Sequence, residues 1–145
     1  EPFLIEYNVR MGDPECQTIL PRLKTDFLDI VVATVNEDLK NINLEWFEDK
    51  SICVVLASKG YPDEFKNNSE IKGLKEIKLQ DNEYIFHAGT KVNNSKIYSN
   101  GGRVLNFVIK SDNLKIGRDQ AISLINKLNW QNGYFRKDIG YKIIS

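Results

Sequence analysis

The run I-C-V-V-L-A-S at 52–58 most constrains how this chain can fold. Nearly every residue in it is apolar, which is the pattern of a strand covered on both faces rather than one lying half in water. Gly60-Tyr61-Pro62-Asp63 ends it with turn chemistry. A second long strand is expected from Gly101-Gly102 through about Ile109, and a third over Tyr84-Ile85-Phe86-His87-Ala88, stopping at Gly89. Val92 and Ile97-Tyr98 flank Asn93-Asn94-Ser95-Lys96 as the arms of a hairpin. Residues 44–47 read as a further strand, and 71–79 as ambiguous.

Two principal helices accompany these strands. Thr25 is a plausible cap for the first, whose apolar positions Leu28, Val31, Val32, Val35 and Leu39 recur at helical spacing. Ser111, Asp112 and Asn113 offer caps for the second. On it Leu114, Gly117, Ala121, Leu124, Ile125 and Leu128 share a face, and the small residues at 117 and 121 permit close approach to a sheet. The fold expected is α+β, with a β-rich antiparallel body.

Composition sets outer limits. A length of 145 residues suits one domain with at most a small appendage, and 41% hydrophobic with 28% charged residues is ordinary globular usage. Lys+Arg and Asp+Glu are both 20, so no basic excess exists to hold a nucleic-acid backbone. No apolar run nears the ~20 residues that span a bilayer, and no signal-peptide pattern opens the chain. Cys16 and Cys53 sit in unlike contexts and read as buried free thiols, in keeping with a reducing cytoplasm. The start at Glu1, without methionine and almost at once in a strand-like run, reads as a piece of something longer.

That opening run is F-L-I-E-Y-N-V-R at 3–10. As a strand it would place Phe3, Ile5, Tyr7 and Val9 on one face and Leu4, Glu6, Asn8 and Arg10 on the other. Glu6 and Asn8 then offer a carboxylate and an amide oxygen, hard ligands suited to magnesium, which typically takes its other oxygens from phosphates and water. Arg10, one step on, could meet an anion with its planar fork. A half-exposed strand with polar residues facing water accounts for the same alternation. After the turn at Gly12-Asp13, Asp13 is expected to cap a short helix that has Pro14 at its first position and runs into Pro21.

N-V-R-M-G-D-P-E-C-Q at 8–17 resembles the signature segment of the phosphoribosylamine–glycine ligase family (glycinamide ribonucleotide synthetases) of the ATP-grasp superfamily. The resemblance continues in order through L-P-R-L-K-T-D at 20–26, V-V-L-A-S-K-G-Y-P at 54–62, F-H-A-G-T-K at 86–91, N-G-G-R-V-L-N at 100–106 and Y-F-R-K-D-I-G at 134–140. Met11 departs from the family's usual phenylalanine and is a comparable apolar filler. Family members are about three times this length. The resemblance therefore implies that residues 1–24 are the last strand and turn of an ATP-grasp core, and 25–145 the small C-terminal domain of hybrid-barrel type.

It also implies an activity. ATP phosphorylates glycine to an acyl phosphate, and the amine of 5-phosphoribosylamine attacks it, giving glycinamide ribonucleotide, ADP and phosphate in purine biosynthesis. Carried over by position, Glu6 and Asn8 match the ligands of Mg2+ (or Mn2+), and Arg10 the residue steadying the acyl phosphate. Asp13 is placed to meet a substrate group such as glycine's ammonium, or to cap its helix. Arg103 either serves hairpin geometry or faces the cleft as a substrate-binding residue. His87, the only histidine, reads as a hydrogen-bonded structural residue rather than a base, and Arg136-Lys137-Asp138 as a surface or docking tail. The missing N-terminal and ATP-grasp domains are the expected partners; without them the face of Phe3, Ile5, Tyr7 and Val9 should be adhesive. Two other readings stand beside this one: a docking module inactive by itself, and an ATP-grasp ligase with another acceptor, against which the Gly-Asp-Pro-Glu and F-H-A-G-T blocks argue.

Overall fold

The computed structural model describes residues 2–144; the expectation attached to Glu1 lies outside them. In chain order the elements are α1 (Glu15–Ile19), a 3-10 turn (Leu20–Arg22), α2 (Phe27–Val35), a second 3-10 turn (Leu39–Asn41), β1 (Lys50–Ser58), β2 (Glu83–His87), β3 (Thr90–Asn93), β4 (Lys96–Ser99), β5 (Arg103–Ser111), α3 (Leu114–Ile125), β6 (Gly133–Tyr134) and α4 (Tyr141–Ile144). The expected α+β class, antiparallel sheets and two main helices are all present.

The two long strands lie side by side at the centre of a four-stranded sheet ordered β2-β5-β1-β6, every pairing antiparallel. Register sets the core. Ile52, Val54 and Leu56 stand opposite Ile109, Phe107 and Leu105, and these six pack with Ala121, Leu124 and Ile125 of α3 and with Trp130. Burial of this set is the main stabilising term, each large side chain contributing about 1.5–3 kcal/mol against exposure. Asn113 caps α3 by accepting from the amides of Lys115 and Ile116. At Gly117 an added Cβ would stand 3.1 Å from Ile52 Cγ2, so the small residue lets the helix reach the sheet. The other sheet face carries Cys53, Val55, Asn106 and Val108, and α1 packs against β1 and β5.

The hairpin β3–β4 turns through Asn94 and Ser95, both at positive φ (47° and 60°), the geometry of a two-residue primed turn.

Four local expectations are corrected. Residues 3–8 form no strand; Phe3, Ile5, Tyr7 and Val9 are all exposed, and an extended segment without a neighbour has no ladder to close. Residues 44–47 contribute only one bridge, Trp46 to Leu23. The cap of α2 is Asp26 rather than Thr25, whose hydroxyl instead accepts from the Glu45 amide at 2.7 Å. That helix also stops at Val35, because Glu37 turns to φ 56° and breaks the α geometry before Leu39.

Candidate functional site

Asp13 does not cap α1: Pro14 holds the cap position and no side chain bonds the first-turn amides. The carboxylate is occupied elsewhere. Its Oδ1 accepts from Gln17 Nε2 at 2.7 Å, and its Oδ2 pairs with Arg103 Nη2 at 3.2 Å. Arg103 Nη1 donates to the Asp13 backbone carbonyl at 2.7 Å. The two residues put forward as substrate-binding are thus bonded to each other, across ninety positions of sequence.

Arg103 also lines an open cleft of about 380 Å³ with Val55, Ala57, Tyr61, Pro62, Tyr134, Phe135 and Arg136. The strand β1 supplies its apolar floor through Val55 and Ala57. One wall is fixed by a glycine: a Cβ at Gly102 would fall 2.1 Å from Tyr61 Cδ2, so only a bare backbone lets the tyrosine ring lie there. Beneath it Ser58 anchors the 101–102 turn, its amide donating to Gly102 O at 2.7 Å and its hydroxyl to Gly101 O at 2.8 Å. On the far side Arg136 grips Asp138 through Nε (3.2 Å) and Nη2 (2.8 Å), and this hydrogen bonding holds the Asp138 carboxyl below the usual carboxylate range. Two guanidinium groups, each already paired with a carboxylate, and two phenols stand around this apolar floor, and the guanidinium N–H groups left over can still meet an acceptor on a partly apolar body.

Glu6 and Asn8 lie together outside the cleft. Asn8 Nδ2 donates to Glu6 Oε1 at 2.9 Å, and both are exposed. One carboxylate and one amide, side by side, fit the protein share of a magnesium site that draws its remaining oxygens from phosphates. Turning the amide over would bring its oxygen beside the carboxylate. They do not amount to a closed metal centre: the described residues hold no group of three or more His, Cys, Asp or Glu able to enclose an ion. Arg10 is exposed and donates to the Met11 carbonyl at 3.1 Å. His87, at the end of β2, shares a 2.9 Å hydrogen bond between Nδ1 and Thr90 Oγ1.

Residues 51–142 match the family described as phosphoribosylglycinamide synthetase, C domain. The chain belongs to that family. Its matched span contains all of the four-stranded sheet but Lys50, together with α3 and the whole cleft, while Glu6, Asn8, Arg10 and Asp13 precede it. Among relatives, the phosphoribosylamine–glycine ligase of Caldanaerobacter subterraneus subsp. tengcongensis is 48% identical over 95% of this chain and 32% of its own length. That of Fusobacterium nucleatum is 44% identical over 97% of this chain and 33% of its own. The chain therefore spans about a third of the length of these relatives. A crystal structure of phosphoribosylamine–glycine ligase from Thermotoga maritima superposes with a TM-score of 0.67 at 32% identity, covering 95% of this chain and 33% of that one. No helix among the described residues is long and apolar enough to cross a membrane.

Two residues around the cleft and the Asp13 turn have places that the sequence does not indicate. Arg136, expected on a surface or docking tail, is exposed and also lines the cleft with Arg103; its membership in the Y-F-R-K-D-I-G block is the available signal for the cleft. Gln17, which braces Asp13, stands four residues on from it, one helical turn, and nothing in the sequence announced that bond.

Proposed function

We propose that the chain is the C-terminal part of a phosphoribosylamine–glycine ligase, with residues 1–24 closing an ATP-grasp core and 25–145 forming the domain that follows it. The observation carrying this is the 48% identity to such a ligase across 95% of the chain. In the whole enzyme ATP transfers its terminal phosphoryl group to the glycine carboxylate. The amine of 5-phosphoribosylamine then attacks the carbonyl carbon, a C–N bond forms and inorganic phosphate leaves. Action in the cytoplasm is part of the same proposal.

The residues divide this work. Glu6 and Asn8 would hold Mg2+ or Mn2+, which when bound neutralises phosphate charge. Arg10 would place a fixed cation where the acyl phosphate and its tetrahedral successor carry negative charge. Arg103 and Arg136 would draw the sugar phosphate of phosphoribosylamine onto the cleft, with Tyr61 and Tyr134 bordering the ribose. Asp13, held by Arg103 and Gln17, would present its remaining acceptor capacity toward glycine's ammonium.

Glu6→Gln in the full-length ligase tests the assignment, because it keeps shape and removes the anionic oxygen. Turnover is expected to fall by orders of magnitude with an unchanged thermal melt, and raised magnesium to recover part of the loss. Wild-type turnover in this variant would overturn it.

A further inference from the structure

Arg103 reaches the cleft because the strand that carries it is irregular. The pairing of β1 with β5 runs in step from Lys50 opposite Ser111 to Leu56 opposite Leu105 and then skips, so that Ala57 stands opposite Arg103. Val104 is the extra residue, a β-bulge. In a regular strand Arg103, two positions from Leu105, would share its face and enter the core beside Phe107 and Ile109. With the bulge Val104 fills that core, fully buried. Arg103 turns instead onto the face of Val55 and Ala57, where it meets Asp13 and lines the cleft.

A bulge leaves backbone groups off the regular ladder, and here a neighbouring turn takes them up. The amides of Ala88 and Gly89, just past β2, donate to the carbonyls of Val104 (3.0 Å) and Arg103 (2.9 Å). Gly89 O in return accepts from Asn100 N at 2.7 Å, and His87 Nδ1 and Thr90 Oγ1 close the same turn. Gly89 is not at positive φ, so backbone freedom is not what the position requires. It requires space: a Cβ there would stand 2.7 Å from Arg103 O and 2.8 Å from Gly101 Cα. Across β5, at the end of β1, the fully buried Ser58 holds Gly101 O by its hydroxyl and Gly102 O by its amide.

We infer that Gly89 and Ser58 are positioning residues for Arg103: the F-H-A-G-T turn and the end of β1 clamp the bulge from its two sides and so fix where the guanidinium stands in the cleft. This rests on the reading proposed above, in which Arg103 receives the sugar phosphate. A one-residue slip of a strand exchanges the faces of its side chains, so an untethered bulge would let Arg103 leave the cleft face. A planar fork owes its grip on phosphate to its placement, and a displacement of about 1 Å can cost on the order of a hundredfold. The F-H-A-G-T block, which contributes no group to the reaction, thereby gains a task in it.

The test uses the full-length ligase carrying this chain. Gly89→Ala should raise KM for 5-phosphoribosylamine at least about tenfold, with kcat and KM for ATP within about twofold of wild type. Added to Arg103→Met, the same change should raise that KM no further, because its whole effect passes through Arg103. Arg103 should also react with phenylglyoxal at least about fivefold faster in Gly89→Ala, read by mass spectrometry against Arg118 on α3 as the unchanged reference. Ser58→Ala removes one hydrogen bond and adds no atom, so it carries the same three readings, at about threefold, even where Gly89→Ala is not recovered folded. Where Arg103→Met raises the KM, a wild-type KM in both variants overturns the proposal. So does an effect additive with Arg103→Met, or an unchanged phenylglyoxal rate at Arg103. A wild-type KM in Arg103→Met beside a raised phenylglyoxal rate upholds the positioning and defeats only the assignment of the sugar phosphate to Arg103.

Discussion

Arg103, at the start of β5, closes both Nη groups on Asp13, one on the carboxylate at 3.2 Å and one on the backbone carbonyl at 2.7 Å. The turn that follows Glu6, Asn8 and Arg10 is thereby tied to the central sheet as well as to its own helix. Gln17 completes the grip from α1. The turn at Asp13 is therefore held by side chains from two separate elements.

Arg103→Met should cost more stability than Asp13→Ala, because the alanine variant keeps the carbonyl that Arg103 also binds. Both side chains of the pair are more than a third exposed, so solvent screening limits the ion-pair share to about 0.5–1 kcal/mol. Thermal melts of the two single variants and the double variant check this: the pairwise coupling should be positive and below about 1.5 kcal/mol. Full additivity would show that the pair contributes nothing.

The pieces legible in the sequence are those whose cause is local. The strands β1 and β5, the apolar face of α3 and the hairpin at Asn94-Ser95 follow from runs, periodicity and turn residues lying within a few positions of one another. Asp13 shows where this fails. Its surroundings, Gly before it and Pro-Glu after it, are those of a helix cap, but a cation brought in from position 103 offers a stronger partner than the amides of a five-residue helix. The alternation at 3–10 fails for a related reason: period-two patterning states which face would be buried, and a strand exists only where a neighbour supplies its ladder. In the candidate site Glu6 and Asn8 do stand side by side, but through a direct hydrogen bond in an unpaired segment rather than through the strand alternation that their spacing predicts. The approach of Arg136 to Arg103 is not legible in the sequence, since it depends on β6 joining the edge of β1.

Gly117→Val offers a check on the core. Its Cβ would meet Ile52 Cγ2 at 3.1 Å and Ser111 Cβ at 3.4 Å, and the two methyls would reach further into the layer between α3 and the sheet. The gain in helix propensity over glycine is a few tenths of a kcal/mol, whereas overpacking costs about 1–3 kcal/mol. Denaturant unfolding should show a lower midpoint with an unchanged slope. A midpoint at or above wild type would mean that the layer is looser than these distances indicate.

Cys53 carries a pH signature. It lies on the sheet face opposite the main core, with Sγ 3.9 Å from Asn106 Oδ1. Burial first, and the negative charge of Asp13 second, push its thiol from the ordinary 9.0 up to about 12. The native chain then keeps a proton that the unfolded chain releases. Below pH 9 both states hold it and the contribution to stability is fully present; as pH rises from about 9 toward about 12, that contribution is lost. The slope from this one group approaches −1.4 kcal/mol per pH unit within the window. Lysines and tyrosines titrate there too, so the quantity to measure is the difference between wild type and Cys53→Ala in unfolding free energy from pH 8 to 11. Cys53→Ala should be less stable at pH 8, having lost packing, and the gap should narrow steadily above pH 9. Asp13→Asn, which removes the second cause, should let native Cys53 alkylate at a lower pH than in wild type. Parallel stability curves for wild type and Cys53→Ala would show that the thiol ionises as readily folded as unfolded.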